Sequence, residues 1–197
     1  REDYGEYFEK IFFDKNLSRG RILFESGDGK STVSYERSKR KLTIKVLQAL
    51  STTNTQFIWA TGGHSSTAGH GNFYDESYTA YMERAVKPVY QAVSMEFTGR
   101  NYAMGGTAAG PEVALCVKEI FGQDIDVLSW DFGMTDGGET TWRMLLYNHR
   151  AALNRGRPIN LAYHAGGSRE SGRLDAAMEM ERVGMASMLS SEQVMKD

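Results

Sequence analysis

The sequence predicts an α/β fold, in which a parallel sheet of five strands lies between two layers of helices. From about residue 39, short apolar runs that end in glycine alternate with longer segments whose apolar residues recur every three to four positions. This alternation favours a parallel sheet covered on both faces, because each helix carries the chain back to the start of the next strand. The 197 residues, 41% of them hydrophobic, suffice for one such domain.

The first helix and the first strand are adjacent in the sequence. A helix is predicted over residues 39–50, because its leucine and valine residues fall on one stripe with Lys and Arg opposite. The apolar run Phe57–Ala60 follows and leads into Gly62-Gly63. Such a run predicts a buried strand that ends in a tight turn.

The second helix and strand are predicted over Glu76–Ser94 and Asn101–Met104. On this helix the apolar residues, among them Tyr81, Met82 and Val89, form the stripe that is expected to face the sheet. The later elements follow the same alternation. The predicted helices are Pro111–Phe121, Thr140–Asn154 and Leu174–Val183, and the predicted strands are Ile125–Trp130, Ile159–His164 and Met185–Leu189.

Residues 1–38 do not join this alternation. They are rich in charge and glycine, and they carry a concentration of aromatic residues between Tyr4 and Phe13. An exposed tail rarely displays so much apolar surface. We therefore divide the chain into an N-terminal arm, residues 1–38, which packs on the core or on a protein partner, and an α/β domain, residues 39–197.

The two ends of the chain carry further expectations. A start at Arg1 rather than Met is compatible with removal of a targeting segment, which would place the protein in a plastid or a secretory compartment. The sequence does not distinguish between these two compartments. A segment with the pattern of another helix begins near Ser191, shortly before Asp197, so the α/β domain is expected to be incomplete at its C-terminus.

The composition argues against several classes of protein. A formal net charge of −2 provides no positive field for phosphate backbones, so we expect no nucleic-acid partner. A single cysteine, Cys116, rules out an internal disulfide framework and a cysteine-rich zinc site. No stretch approaches the roughly 18 consecutive apolar residues of a membrane span, so no transmembrane segment is predicted in this chain. Neither a metal nor a cofactor is predicted.

The residues best suited to chemistry follow the strands, because ligands of parallel sheets bind at the carboxyl ends of the strands. Gly63-His64-Ser65 follows the first strand. A serine on such a turn exposes its hydroxyl beside backbone N–H groups that can stabilise an oxyanion. On this turn alone, the simpler interpretation is a chain reversal without catalysis. Nucleotide binding is the least favoured function, because no Gly-x-Gly-x-x-Gly opens a helix here.

Three carboxylates, Asp126, Asp131 and Asp136, flank the third predicted strand. Paired carboxylates can bind Mg²⁺ or Ca²⁺. Neighbouring residues of a strand point to opposite faces, however, so roles in capping and in turns are favoured.

The segments after the first three predicted strands resemble blocks I, II and III of the SGNH, or GDSL-like, hydrolases; they are Gly63–Gly69, Asn101–Gly106 and Phe132–Gly137. The resemblance places Ser65 at the nucleophile, Gly106 at the oxyanion-hole glycine and Thr135 at the oxyanion-hole asparagine. It implies a flavodoxin-like fold of three layers and hydrolysis of a small-molecule, lipid or glycan ester. The string that begins at Gly62 is also similar to SGNH-like proteins of diatoms and related algae.

Some positions depart from the family pattern. His64 replaces the Asp before the nucleophile, and Thr135 replaces the Asn. The family's base comes from Asp-x-x-His, which does not occur in this chain. His164, at the end of the fourth predicted strand, is the best local candidate for the base, and His70 is an alternative. His64 is a poor base, because neighbouring side chains on a turn diverge.

Two functions therefore stay open. The first is an SGNH-type esterase that uses Ser65, Gly106, Thr135 and His164, and that acts on a carbohydrate or lipid ester. The second is a catalytically silent SGNH-like fold that serves as a binding or assembly subunit, in a plastid or membrane-associated complex if the algal resemblance holds.

Overall fold

The computed structural model describes residues 40–162, apart from positions 42, 46, 49, 50, 53, 54, 138 and 139, and the short segment 187–189. The arm, the helix predicted over Leu174–Val183 and His164 lie outside the described residues. In the part of the chain that is described, no helix is both long enough and apolar enough to span a bilayer.

All the strands of the sheet are parallel, which confirms the predicted fold class. Four strands of four to nine residues are joined at one edge by a fifth strand of three residues. The strands are β1 (Thr55–Gly63), β2 (Met95–Asn101), β3 (Val127–Asp131), β4 (Ile159–Ala162) and β5 (Ser187–Leu189). Their order is β2-β1-β3-β4-β5, the doubly wound order of flavodoxin-like folds. The direction of winding reverses between β1 and β3, where such sheets bind ligands.

Most of the described helices lie within segments predicted to be helical, with several differences in their bounds. They are α1 (Ser65–Ala68), α2 (Tyr78–Gln91), α3 (Glu112–Leu115), α4 (Val117–Phe121) and α5 (Thr140–Ala152), and a 3₁₀ turn covers Tyr74–Glu76. The described positions between 40 and 48 are also helical. The helix predicted over Pro111–Phe121 is divided at Cys116, whose φ of −104° and ψ of 22° leave the helical region. The helix predicted to begin at Glu76 begins at Tyr78, where Ser77 Oγ accepts a hydrogen bond from the backbone.

The two faces of the sheet pack against different helices, which gives the fold its three layers. Alternate residues of β1 point to opposite faces. Phe57 belongs to a core cluster under α2, whereas Ile58 belongs to a larger cluster under α3, α4 and α5. Trp130, on β3, and Tyr147, on α5, are the largest fully buried side chains of the larger cluster.

The buried stripe of α2 differs from the predicted one. Met82, Val86 and Tyr90 pack against the core, whereas Tyr81 and Val89 are 66% and 64% exposed. Of the three stripe residues named in the prediction, only Met82 packs against the core, where it is partly buried. The Tyr90 ring decides the orientation of the helix, because it lies 4.9 Å from the Phe57 ring and 5.0 Å from the Phe97 ring, between centroids.

β2 lies earlier in the chain than predicted. It spans Met95–Asn101, whereas the apolar pattern predicted Asn101–Met104. β2 is an edge strand, and the side chain of Glu96 is exposed to solvent. Its sequence therefore lacks the continuous apolar run that marks the central strands.

Gly62→Ala is expected to lower the free energy of unfolding by about 1–3 kcal/mol. A Cβ atom at this position would lie 2.7 Å from the Tyr147 hydroxyl oxygen and 2.8 Å from Phe121 Cζ. Both rings are fully buried and pack edge to face, so neither can move aside without cost. Urea denaturation of the variant measures the change.

Gly105→Ala is the matched control, because the nearest atom to its Cβ would be Ser65 Cβ at 3.7 Å, an ordinary contact. We expect a change within about 0.5 kcal/mol for this variant. Equal losses for the two variants would contradict close packing of the rings at Gly62.

Candidate active site

Ser65 is the first residue of α1, which begins directly after β1. His64 is the N-cap, and its Nδ1 accepts a hydrogen bond from Ser66 N–H at 3.2 Å. Gly69 ends the helix with a φ of +93°, in the left-handed region that favours glycine. Ser65 is half-buried. The strand and the glycine-flanked turn that the sequence predicted are therefore present at this position, and the short helix α1 follows them without having been predicted.

Gly63 permits α1 to fold back onto the end of β1. A Cβ atom on Gly63 would lie 2.6 Å from Thr67 Cβ, so a larger residue would displace the helix. Thr67 is fully buried, and its hydroxyl donates to Asp131 Oδ2 at 2.6 Å. This hydrogen bond attaches the third residue of α1 to the carboxyl end of β3.

The segment after β2 runs alongside the end of β1 and reaches Ser65. Met104 N–H donates to Gly63 C=O at 3.1 Å, so the chain continues parallel to β1 beyond the last residue of β2. A Cβ atom on Gly105 would lie 3.7 Å from Ser65 Cβ. Gly105 is therefore close to Ser65, as expected for segments that follow neighbouring parallel strands.

Two backbone N–H groups of these turns have no partner within the described structure. Among the described residues, no acceptor takes the N–H of Ser65 or of Gly106. Gly106 has a φ of +73° and no atom within 4 Å of its Cβ position, so the turn is open to solvent there. Asn101 anchors the same turn, because its Nδ2 donates to Thr67 C=O at 2.9 Å and its Oδ1 accepts from Ala103 N–H at 3.0 Å.

Thr135 lies in the turn after β3, and its hydroxyl is already engaged. Thr135 Oγ1 donates to Phe132 C=O at 3.3 Å, and its backbone N–H donates to the same carbonyl at 3.0 Å. The next residue, Asp136, is buried and accepts from Ala109 N–H at 2.7 Å. Asp136 therefore connects the turn after β3 to the segment that follows Gly106.

The general base is not identified among the described histidines. His64 directs Nδ1 to Ser66 N–H, and its Nε2 lies 3.9 Å from Asp131 Oδ1, so both ring nitrogens face groups other than the Ser65 hydroxyl. His70 and His149 are exposed, and among the described residues neither imidazole is hydrogen-bonded to the Ser65 side chain. His70 is hydrogen-bonded to Ser65 through the backbone, where its N–H donates to Ser65 C=O at 2.9 Å. His164 lies outside the described residues. The roles assigned to Ser65, Gly106, Thr135 and His164 stay predictions.

The carboxylates around β3 hold neighbouring segments of the chain in place through hydrogen bonds and ion pairs. Asp126 accepts from Ile58 N–H at 2.8 Å and pairs with Lys45 Nζ at 2.9 Å. Asp131 and Asp136 hold α1 and the segment after β2, respectively. In residues 40–162 as described, no three His, Cys, Asp or Glu side chains cluster in the manner of a metal site.

Burial raises the pKa of Asp131, although the hydrogen bond from Thr67, the neighbouring His64 and a hydrogen bond from Tyr78 oppose this shift. The ordinary value of 3.8 applies in the unfolded chain. Because the folded protein binds this proton more tightly, the contribution of Asp131 to stability is complete below 3.8 and is lost as the pH rises through the folded pKa.

Asp131→Asn is therefore expected to remove a pH-dependent term from the free energy of unfolding. The free energy of unfolding of the wild type minus that of Asp131→Asn should fall as the pH rises above 3.8. Denaturant titrations at a series of pH values measure both. A difference that rises with pH would show that ionic partners, and not burial, dominate at Asp131.

Solved structures of esterases share this architecture. A two-domain esterase active on acetylated mannans, co-crystallised with mannopentaose, superposes with a TM-score of 0.59 and 16% sequence identity, over 76% of this chain and 42% of its own. The SGNH-hydrolase family esterase AlinE4 has a TM-score of 0.52 and 12% identity, over 69% of this chain and 77% of its own. The fold is that of SGNH-family esterases. A putative GDSL-like lipase from Parabacteroides merdae is also similar, with a TM-score of 0.50 and 11% identity, over 69% of this chain and 78% of its own.

The likeness to these structures concerns the fold, and the activity depends on the side chains of the site. The chain spans about two fifths of the two-domain esterase. No protein-family model and no curated protein matches the sequence. At such low identities the likeness concerns the arrangement of strands and helices, since one fold supports many functions.

Proposed function

We propose that the protein is an SGNH-type acyl-ester hydrolase whose nucleophile is Ser65. The observation that carries the proposal is the proximity of Gly105, in the turn after β2, to Ser65 at the carboxyl end of β1. Two backbone N–H groups, those of Ser65 and of Gly106, the residue after Gly105, have no acceptor in the described structure. Such groups are suited to an oxyanion.

The reaction proceeds in two steps. Ser65 Oγ attacks the ester carbonyl and loses its proton to a base, for which His164 is the candidate. The tetrahedral oxyanion is stabilised by the N–H groups of Ser65 and Gly106, and it collapses to an acyl-serine with release of the alcohol, which takes the proton. Water then attacks the acyl-serine, and the carboxylic acid leaves. These are the steps by which serine esterases avoid a single high barrier.

The substrate class is a carbohydrate or lipid ester. The architecture is shared with an esterase active on acetylated mannans and with a GDSL-like lipase, so both kinds of ester are tested. The full chain is incubated with acetylated manno-oligosaccharide and, separately, with p-nitrophenyl esters of increasing acyl length. We expect release of the acid from at least one series. Release no faster than from a Ser65→Ala variant in both would overturn the proposal.

Thr135→Asn is expected to raise kcat by about tenfold or more, because one oxyanion donor typically contributes ~10²–10³ in rate. The Thr135 hydroxyl donates to Phe132 C=O and is not free for the oxyanion, whereas an Asn side chain reaches further and carries two donors. Thr135→Val is the control and should leave kcat within about threefold, which would show that the Thr135 hydroxyl is not used. A loss of ~10² in Thr135→Val would contradict this assignment.

The second candidate function is a catalytically silent SGNH-like fold that binds a partner. It is favoured by His64 in place of Asp and by the engaged hydroxyl of Thr135. The arm would then supply the surface for a protein partner, in a plastid or membrane-associated complex if the algal resemblance holds. Light scattering tests this use by comparing the mass of the full wild-type chain with that of a variant that carries Phe8→Ser, Phe12→Ser and Phe13→Ser. Unchanged mass and unchanged stability would refute it.

A further inference from the structure

His64 and Asp131 form a buried pair beside the candidate nucleophile. The two residues are 4% and 5% exposed, and their side chains approach with Nε2 3.9 Å from Oδ1. The backbones also meet, because His64 N–H donates to Asp131 C=O at 3.2 Å. Buried polar side chains of this kind need hydrogen-bond partners. His64 has Ser66 N–H as its partner, and Asp131 has the Thr67 hydroxyl.

The partners of His64 determine where its proton lies. Nδ1 accepts a hydrogen bond from Ser66 N–H, so it carries no proton. The proton therefore resides on Nε2, the nitrogen that faces Asp131 Oδ1. In this tautomer the imidazole accepts a hydrogen bond from α1 on one side and directs its N–H towards the Asp131 carboxylate, 3.9 Å away, on the other.

Asp131 holds α1 at a second point. Its Oδ2 accepts from the Thr67 hydroxyl at 2.6 Å, while Oδ1 faces His64. Asp131 thus holds the N-cap through its backbone carbonyl and the third residue of α1 through its carboxylate, and Ser65 lies between the two in the chain. A helix of four residues has little stability of its own, so its position depends on such attachments.

We infer that His64 is a positioning residue for Ser65, acting as the helix cap that Asp131 orients. This inference rests on the proposed function, since it assigns how the nucleophile is held. The imidazole does not touch the substrate. It sets the direction of the Ser65 and Ser66 N–H groups and hence the place of Ser65 Oγ. A misplacement of about 1 Å at a reacting atom can cost ~10² in rate.

Two matched variants distinguish the role of His64 as a helix cap from a general contribution to the stability of the protein. In His64→Asn, the amide oxygen can take the place of Nδ1 and accept from Ser66 N–H. In His64→Gln, the polar atoms lie further out, towards Asp131, and the cap is lost. Measured in the full chain with a p-nitrophenyl ester, His64→Asn should keep kcat within about fivefold. His64→Gln should lose about 10²-fold in kcat with little change in KM.

A role in stability alone predicts a different result, in which both variants lower the melting temperature and the folded fraction of each keeps its kcat. That outcome overturns the inference, as does an equal loss of kcat in both variants. A measurement that does not need activity distinguishes failure here from failure of the proposed function. Long-range ¹H–¹⁵N spectra should show His64 protonated at Nε2, and Ser66 N–H should exchange faster in His64→Gln than in His64→Asn. Protonation at Nδ1 would contradict the cap even in an inactive protein.

Discussion

Ser65→Ala is expected to lower kcat for ester hydrolysis by at least ~10⁴-fold, because removal of a serine nucleophile leaves only binding and oxyanion stabilisation. The substitution removes one oxygen from a half-buried residue at the start of α1, so the fold should be retained. Initial rates with a p-nitrophenyl ester measure the loss, and circular dichroism checks the fold.

Ser66→Ala is the matched control for this prediction. Ser66 is the next residue of α1 and is exposed, and its contact with His64 uses the backbone N–H, which alanine retains. We expect kcat within about twofold of the wild type. If Ser66→Ala loses as much activity as Ser65→Ala, the nucleophile has been assigned to the wrong serine.

Asp136→Ala is expected to have the largest effect on stability, about 3–5 kcal/mol in the free energy of unfolding. The Asp136 side chain is fully buried, and its Oδ1 lies 3.6 Å from Nη1 of Arg143, which is itself 19% exposed. The same oxygen accepts from Ala109 N–H. Alanine would leave a buried N–H and a guanidinium without the carboxylate that they contact, which is the costly way to break a buried pair.

Asp136→Asn separates the charge from the hydrogen bond. The amide oxygen can still accept from Ala109 N–H, so only the ionic part is lost, and we expect a destabilisation of about 1–3 kcal/mol. Urea denaturation measures both variants. A loss in Asp136→Ala no larger than in Asp136→Asn would show that the link between the turn after β3 and Ala109 contributes little.

The central part of the fold is predictable from the sequence because its strands are buried on both faces. Phe57–Ala60 forms a continuous apolar run, and such a run has few alternatives to a central parallel strand. The edge strand β2 has an exposed Glu96 and shows no such run, so its position was predicted six residues too late. The orientation of α2 depends on the contact of Tyr90 with Phe57 and Phe97, which a helical period alone does not show.

The site is predictable only where it depends on backbone conformation. The turn with Ser65 and the turn with Gly106 follow adjacent strands, and glycine marks both turns in the sequence. The link between Asp131 and Thr67 was missed, because it joins residues 64 positions apart through side chains. The one available sign was a carboxylate at the end of an apolar strand, since such a group is buried only with partners. The hydrogen bond from Ala109 N–H to Asp136 was missed for the same reason, since it also joins distant positions of the chain.

The nucleophile is tested most directly by reaction of the full, folded chain with a fluorophosphonate, followed by peptide mapping. The reagent is attacked by an activated serine, and the phosphonyl group remains on its oxygen. The proposed function predicts one adduct, on Ser65, that is absent from Ser65→Ala and present in Ser66→Ala. A folded wild-type chain with no adduct on Ser65 would contradict the claim that this serine is an activated nucleophile.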